Sequence, residues 1–233
     1  MTRNAILFGA AGAVLASSAA AQLSVISVNR YVRVAAEGGF TTDGPRTTNG
    51  PIAGPWVGSD FAAAAEGTNG GSADGYQESA IGAGVYSGYL DGRANAFGDG
   101  SDFASGYGQA HFEMDFSLAA AGDYTLEGFV NAFGQVNGEV SKAYIEIVDL
   151  GTNTAVWSLF VDDSLENFSE AGTLPAGNYR FEADALAIVD RIFESGFGDS
   201  TASVEFDLTI VPTPASASLL ALGVIGCAGR RRR

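Results

Sequence analysis

The chain has 233 residues and a formal net charge of −15, with 12 basic against 27 acidic side chains. An acidic surface repels phosphates, so the composition excludes nucleic acid and anionic lipid as expected partners of the folded domain. The length is ordinary for one all-β domain, and the single cysteine, Cys227, excludes a disulfide framework.

The N-terminus has the three parts of a secretory signal peptide. Arg3 precedes an apolar run over residues 5–16, and small residues follow up to Ala19 and Ala21, just before Gln22. The small-x-small rule predicts cleavage by signal peptidase after Ala21. We therefore expect residues 1–21 to be a signal helix and Gln22 to begin the mature, exported domain.

The first half of the mature chain is rich in glycine and turn formers. Residues 23–35 alternate and favour a first strand, whereas residues 37–55 contain several Gly and Pro turn signals and predict a long surface loop. Small side chains then permit close sheet packing but specify register poorly. Weaker strand patterns follow over residues 56–65, 76–81 and 85–97.

The second half has clearer alternation. Residues 110–118 and 124–133 predict two strands joined as a hairpin by Gly122-Asp123, and Asn137-Gly138 predicts another hairpin. Residues 190–200 favour an Ω-like loop because of their glycines. Further strands are predicted over residues 142–150, 154–161, 179–189 and 202–211.

Short alternating runs without a long helical period predict an all-β domain over residues 22–211. We expect a single antiparallel β-sandwich of jelly-roll type with about 8 to 10 strands. It would be flanked by the signal helix and a short C-terminal transmembrane helix. The predicted core comprises Phe112, Phe116, Leu126, Ile145, Ile147, Trp157, Phe181, Phe206 and Leu208.

The C-terminal segment, residues 212–233, has an order typical of an address signal. A helix from Ala215 to Gly229 would be about 22 Å long, which is a minimal span for a bilayer core of about 30 Å. The terminal arginines would stop transfer and stay cytoplasmic by the positive-inside rule. They are Arg230, Arg231, Arg232 and Arg233, and the segment before the apolar run is Val211, Pro212, Thr213, Pro214, Ala215 and Ser216.

This three-part tail resembles the PEP-CTERM sorting signal of bacterial surface and matrix proteins. In that family a Pro-Glu-Pro-like motif, a short hydrophobic helix and a basic end are read by an exosortase-type membrane protease. Thr213 replaces the central Glu here. The resemblance covers about a tenth of the chain and implies transient membrane anchoring, trimming near Pro212 to Pro214, and delivery to the cell surface or the extracellular matrix.

Two groups of side chains are candidates for catalysis. His111 is the only histidine, and on a strand it would point away from Phe112. A lone His is more often a solvated or hydrogen-bonded surface residue than part of a Ser-His-Asp site. The acidic group Asp162, Asp163, Glu166 and Glu170 could serve glycoside hydrolysis, but sequence proximity cannot set carboxyl separation, and a charged loop is the alternative.

Asp99 and Asp102 flank Gly100-Ser101 and form a candidate Ca²⁺ site. Flexible glycines let carboxylate and carbonyl oxygens converge on Ca²⁺, although the segment lacks the EF-hand spacing. The alternative is the ordinary turn-forming role of Asp and Gly. No other cofactor is expected.

Several aromatic residues could stack on sugar rings, with burial in the core as the alternative. The aromatic candidates are Trp56, Tyr76, Tyr86, Tyr89 and Tyr107.

Taken together with the export and sorting signals, the sequence predicts a non-catalytic, exported component of the surface or matrix. The first alternative is a carbohydrate-binding module that contacts extracellular polysaccharide. The more distant alternative is an extracellular glycoside hydrolase.

Overall fold

The computed structural model describes residues 23–134, 139–191 and 195–212, which form twelve β-strands. The predicted signal peptide and residues 213–233 lie outside this range. The strands are β1 (Leu23–Gly38), β2 (Thr41–Asn49), β3 (Trp56–Glu66), β4 (Asn69–Ile81), β5 (Val85–Asp99), β6 (Ala104–Leu118), β7 (Gly122–Gly134), β8 (Glu139–Asp149), β9 (Thr154–Val161), β10 (Ser164–Leu174), β11 (Gly177–Arg191) and β12 (Ser195–Pro212).

The strands form two six-stranded antiparallel sheets that pack as a β-sandwich. Sheet A has the order β2-β1-β6-β11-β8-β9, and sheet B has the order β10-β7-β12-β5-β4-β3. The predicted all-β, two-sheet architecture is confirmed. Successive strands from β5 to β8 alternate between the sheets, and so do those from β9 to β12, so most strand neighbours are distant in sequence.

The core lies between the sheets and follows the alternation of each strand. On β6 the even-numbered residues, such as Phe112 and Phe116, are buried, while the odd-numbered residues line the outer face of sheet A. The rings of Phe112 and Phe181 lie 5.2 and 4.8 Å from that of Phe206, so both sheets contribute to one aromatic cluster. Of the nine predicted core residues only Trp157 is half-buried, and its ring packs against Phe168.

Both predicted hairpins that involve β7 are wrong. β6 belongs to sheet A, β7 to sheet B and β8 to sheet A, so neither connection joins paired neighbours. The turn after Leu118 carries the chain across the sandwich instead, because a local turn signal does not determine which sheet receives the next strand. Asn137 and Gly138 themselves lie outside the described residues.

Twelve strands replace the predicted eight to ten, because β2 and β10 form where no strand was predicted, and other predicted strands are longer than expected. β2 occupies the middle of the predicted loop 37–55, and β11 and β12 extend into the predicted loop 190–200. β10 contains Glu166 and Glu170, for which a charged loop was the alternative to a hydrolytic site. Gly, Pro and charged residues weaken strand patterns, but pairing with a neighbouring strand overrides such local preferences.

The glycines of the first half let the two sheets approach backbone to backbone. A Cβ at Gly71 would lie 1.8 Å from the Ser105 carbonyl oxygen, and one at Gly108 would lie 2.4 Å from the Arg93 carbonyl oxygen. No side chain fits at either position. The prediction that small residues here permit close sheet packing is therefore confirmed.

Candidate functional site

The outer face of sheet A carries a row of side chains that register aligns across four strands. Tyr31 of β1 lies opposite His111 of β6, His111 lies opposite Asp184 of β11, and Asp184 lies opposite Tyr144 of β8. Side chains directly opposite each other on one face are close enough to interact. We call these four residues the central row.

His111 is the most connected member of the central row. Its Nδ1 lies 2.9 Å from Asp184 Oδ2, and the Tyr31 ring stacks on the imidazole with a centroid distance of 4.7 Å. Gln109 donates a second hydrogen bond to Asp184 Oδ2 at 2.7 Å. His111 is only 7% exposed. Of the two structural roles that the sequence suggested for it, hydrogen-bonded or solvated, it therefore has the first.

The tyrosines at both ends of the central row are held in the protonated form. Burial and the nearby Asp184 charge raise the pKa of Tyr31 to about 12. Tyr144 donates to Glu182 Oε1, and burial together with that hydrogen bond raises its pKa well above the usual range. Both phenols therefore stay protonated at neutral pH, and the Tyr144 hydroxyl uses its one proton to hold Glu182.

One cluster, which shares His111 with the central row, has the composition of a metal site. His111, Glu113 and Glu182 bring potential ligand atoms within 4.8 Å of one another. Arg180 contacts Glu113 at 2.9 Å, Tyr144 donates to Glu182, and Asp184 contacts the imidazole. Each potential ligand therefore already has a partner in the protein, so the arrangement forms a self-contained polar network.

A groove of about 380 Å³ lies next to the central row and is called the sheet A groove here. The Arg33 guanidinium carbon lies 5.6 Å from the Tyr107 ring centroid, within the range of a cation–π contact. Tyr107 donates to Gln109 Oε1 at 2.5 Å, which links the groove to Asp184 and His111. The groove is lined by Arg33, Ala35, Glu37, Pro45, Ser105, Gly106, Tyr107, Ile188 and Asp190.

The outer face of sheet B carries a smaller groove of about 260 Å³, bordered by Tyr89, Glu78 and Glu205. The rings of Tyr76 and Tyr89 lie 6.2 Å apart but are tilted by 53°, so they do not form a flat stacking platform. Beside them, burial raises the pKa of Asp91, although its carboxylate contacts Arg93 at 2.8 Å.

The predicted aromatic residues do not form one surface. Tyr107 lies in the sheet A groove, Tyr76 and Tyr89 lie on sheet B, and Tyr86 is buried in the core. The half-buried Trp56 packs against the core, lines the smaller groove on sheet B together with Tyr89, and lies 5.7 Å from the buried Arg30 guanidinium. Only Tyr107 therefore joins the polar network of sheet A.

Asp99 and Asp102 organise the turn between β5 and β6. Hydrogen bonds from Ser101 and Thr68 hold the pKa of Asp99 well below its usual range, with the Ser101 backbone N–H at 2.8 Å. Asp102 accepts from the Phe103 backbone N–H at 2.9 Å. These contacts favour the turn-forming role of both residues, and Ca²⁺ binding stays a prediction.

The structure separates the remaining candidates. Glu166 and Glu170 lie on edge strand β10, while Asp162 and Asp163 lie in the connection before it. Val211 and Pro212 of the predicted sorting segment end β12. The other predicted sorting and cleavage residues lie outside the described residues, and they are Thr213, Pro214, Ala215, Ser216, Arg230–Arg233, Ala19, Ala21 and Gln22. Within the described ranges, no helix is long and apolar enough to span a membrane.

The sequence singled out His111 and Tyr107 but missed their partners. Gln109 is two residues from His111 in the chain, whereas Asp184 is 73 residues away. Only the strand order brings Asp184 beside His111. Tyr31 was assigned to a strand without a functional role. Polar residues at alternating positions of β6 and β11 were the one available signal, since such a face must be exposed or internally paired.

No protein-family model and no curated protein matches the chain. Among solved structures, a chain of TmCBM61 in complex with β-1,4-galactotriose is 15% identical with a TM-score of 0.23, covering 50% of this chain and 69% of its own. The enzymatically active domain of bacteriophage CBA120 tailspike protein 4 is 10% identical with a TM-score of 0.18, covering 64% of this chain and 19% of its own. A structure of infectious bursal disease virus, Gx strain, is 11% identical with a TM-score of 0.19, and the match covers 83% of this chain and 68% of the viral chain. Similarity at this level carries no argument about function.

Proposed function

We propose that this chain is an exported, non-catalytic component of the cell surface or extracellular matrix that binds polysaccharide through the outer face of sheet A. The observation that carries the proposal is the junction of the sheet A groove with the central row. There, Tyr107 and Arg33 border an open groove, and Gln109 connects Tyr107 to Asp184.

The chemistry of this face suits a sugar. An aromatic ring offers an apolar surface to the C–H face of a pyranose, and planar amide, guanidinium and carboxylate groups can bond to its hydroxyls. The buried Asp184 holds Gln109 by a hydrogen bond, and Gln109 in turn holds Tyr107, so these two half-buried side chains lose little conformational entropy on binding. A preorganised face of this kind favours binding over a purely structural role.

A non-catalytic role fits the surroundings of His111. Within the described residues, its side-chain contacts are with Tyr31, Glu182 and Asp184, and no serine nucleophile is among them. A Ser-His-Asp mechanism needs the base to hydrogen-bond a nucleophile. Conversion of a polysaccharide by the purified protein would favour the hydrolase alternative.

The proposed fold type is a jelly roll, supported by the strand order. Strands β5 to β12 would form two four-stranded sheets, β5-β12-β7-β10 and β6-β11-β8-β9. This order is the double Greek key of an eight-stranded jelly roll. On this interpretation β3 and β4 extend one sheet beyond β5, and β1 and β2 extend the other beyond β6.

The proposed destination rests on both ends of the sequence. Signal peptidase would cut after Ala21, and an exosortase-like protease would act near Pro212 to Pro214 while the apolar run holds the chain in the membrane. Without residues 1–21 and 212–233, the basic count falls to 7 against 27 acidic residues, a net charge of −20. Such a charge keeps an exported domain soluble and disfavours nucleic acid as a partner.

A glycan array with matched variants tests the binding proposal. We expect saturable binding of the wild-type protein to at least one polysaccharide, and loss of at least tenfold in affinity on Tyr107→Ala. The control is Tyr89→Ala, which removes a half-buried tyrosine from the outer face of sheet B and should leave binding unchanged. Binding lost only in Tyr89→Ala would place the site on the wrong face, and no binding in the wild type would refute the proposal.

A further inference from the structure

Over the residues that the structure describes, the sandwich has four edge strands, which are β2 and β9 in sheet A and β3 and β10 in sheet B. An edge strand presents unpaired backbone N–H and C=O groups to which another chain can add a strand. Proteins usually blunt such edges with charges, Pro or covering contacts. The four edges of this protein differ in that respect.

β2 and β3 cover each other on one side of the sandwich. The Asp43 carboxylate of β2 accepts a hydrogen bond from the Ala63 backbone N–H of β3 at 3.1 Å. Arg46 of β2 donates to the Phe61 carbonyl of β3 at 3.1 Å. β2 also contains Pro45, which has no N–H to offer. This side of the sandwich is therefore closed to an additional strand.

On the opposite side, β10 and β9 have very different compositions. β10 contains Glu166 and Glu170, so two copies that met along this edge would bring four carboxylates together. β9 has the sequence TAVWSLFV, with no charged residue, no Gly and no Pro. Its outward-facing Val156 and Phe160 are 43% and 53% exposed.

The pairing of β9 with β8 defines which part of β9 is regular. The register shifts between Ile147 and Val148, opposite the start of β9, and the pairing is regular from Trp157 to Val161. Within the described residues, no strand lies beyond β9 in sheet A. Five regular, uncharged residues at a free edge are a template for strand addition.

We propose that β9 is a dimerisation edge, at which two copies of this chain pair β9 with β9 antiparallel about a two-fold axis at Leu159. Sheet A would then continue through both copies as one sheet of twelve strands. In this register Trp157 lies opposite Val161 of the second copy, an aromatic and β-branched pairing that favours sheet association. Ser158 lies opposite Phe160 on the outer face.

Charge and symmetry favour a second copy as the partner. The chain carries a net charge of −15, so two copies can meet closely only where neither contributes a charge, and β9 is such a strand. Antiparallel pairing of identical strands uses the same surface on both partners and closes after two copies. Because the other three edges are covered or charged, we expect a dimer and not a filament.

Light scattering on the purified protein tests this proposal across a dilution series. We expect the wild type to have twice the mass of a monomer and the Ser158→Lys variant to have the mass of a monomer. The exposed Ser158 borders the two-fold axis, so the two lysines of a dimer would meet there. The control Ser169→Lys adds the same charge at an exposed position of β10 and should remain dimeric. A circular-dichroism spectrum identical to that of the wild type would show that Ser158→Lys still folds.

A cross-link tests the register itself. In a Cys227→Ser background, Ser158→Cys combined with Phe160→Cys should form a disulfide between copies, because the thiol at position 158 of one copy would face the thiol at position 160 of the other. Within one copy, positions i and i+2 of a strand are too far apart for a disulfide. A monomeric wild type, or a dimer that survives Ser158→Lys, would overturn the proposal. The latter outcome would assign association to another surface, such as the apolar tail.

Discussion

His111 and Asp184 lie opposite each other on β6 and β11, and the imidazole Nδ1 is 2.9 Å from the carboxylate Oδ2. The pair is 73 residues apart in sequence and almost fully buried, although it belongs to the outer face of its sheet. Neighbouring side chains cover it, above all the Tyr31 ring stacked on His111. The pair thus anchors a polar layer outside the hydrophobic core.

Replacing Asp184 should measure how much this layer contributes to stability. Asp184→Ala removes the acceptor of both the Gln109 amide and His111, and leaves buried donors without partners. We expect the free energy of unfolding to fall by about 1–3 kcal/mol in urea titrations. Asp163→Ala, at an exposed position before β10, is the control. Equal stability of both variants would contradict a structural role for the layer.

The Asp115–Arg180 pair should make stability depend on acid pH. Arg180 donates to both Asp115 oxygens at 2.9 and 3.2 Å, and this hydrogen bonding lowers the pKa of Asp115. A depressed folded-state pKa adds stability above the ordinary aspartate pKa of about 3.9, and that stability is lost as the pH falls through the folded value.

We therefore expect Asp115→Asn to be less stable than the wild type at neutral pH. The difference should shrink below about pH 4, once the wild-type carboxylate takes up a proton. Urea unfolding at a series of pH values measures it, with Asp162→Asn at an exposed position as the control. A difference that does not shrink as the pH is lowered below about 4 would show that the ion pair does not carry the effect.

The close approach of the sheets predicts a severe effect of a single methyl group. In Gly71→Ala the new Cβ would lie 1.8 Å from the Ser105 carbonyl oxygen, and neither backbone can move without separating the sheets. Overpacking costs about 1–3 kcal/mol, and a backbone obstacle places this variant at or above the upper value.

The matched control is Gly151→Ala, whose nearest obstacle is the flexible Asp149 carboxylate at 3.2 Å. Thermal unfolding followed by circular dichroism should show a clearly lower melting temperature for Gly71→Ala only. Similar melting temperatures would mean that the two sheets are farther apart in solution than the Gly71–Ser105 contact requires.

Strand alternation made much of the core predictable from the sequence. On β6 and β12, large apolar residues such as Phe112 and Phe206 recur at every second position, which fixes the buried face without knowledge of the neighbours. β10 escaped detection because Glu166 and Glu170 break its pattern. Local preference cannot reveal a strand whose stability comes from pairing, here with β7.

The candidate site was less predictable, because it depends on strand order. Asp184 is adjacent to His111 only because β11 inserts between β6 and β8, and that insertion follows from contacts far apart in sequence. Trp56 was singled out from the sequence, but its surroundings could not be predicted. An aromatic residue at a strand end could face sugar or core, and the buried Arg30 beside its ring is invisible to local reasoning.

The C-terminal segment yields the last prediction, since β12 ends at Pro212, where the proposed sorting motif begins. If this motif is cut in cells, mature protein should lack residues 217–233, and mass spectrometry of the C-terminal peptide will show this loss.

Replacing Arg230–Arg233 by Ser should release uncut protein, because the arginines resist passage through the membrane. Asp at both Leu220 and Val224 should do so more completely, since each acid costs about 2.5–3.5 kcal/mol at a helix centre. Ser at Leu220 and Val224 is the milder control. Normal trimming and retention of both charge variants would mean that the segment is not a sorting signal, because neither the stop-transfer charges nor the apolar span would then be needed for processing.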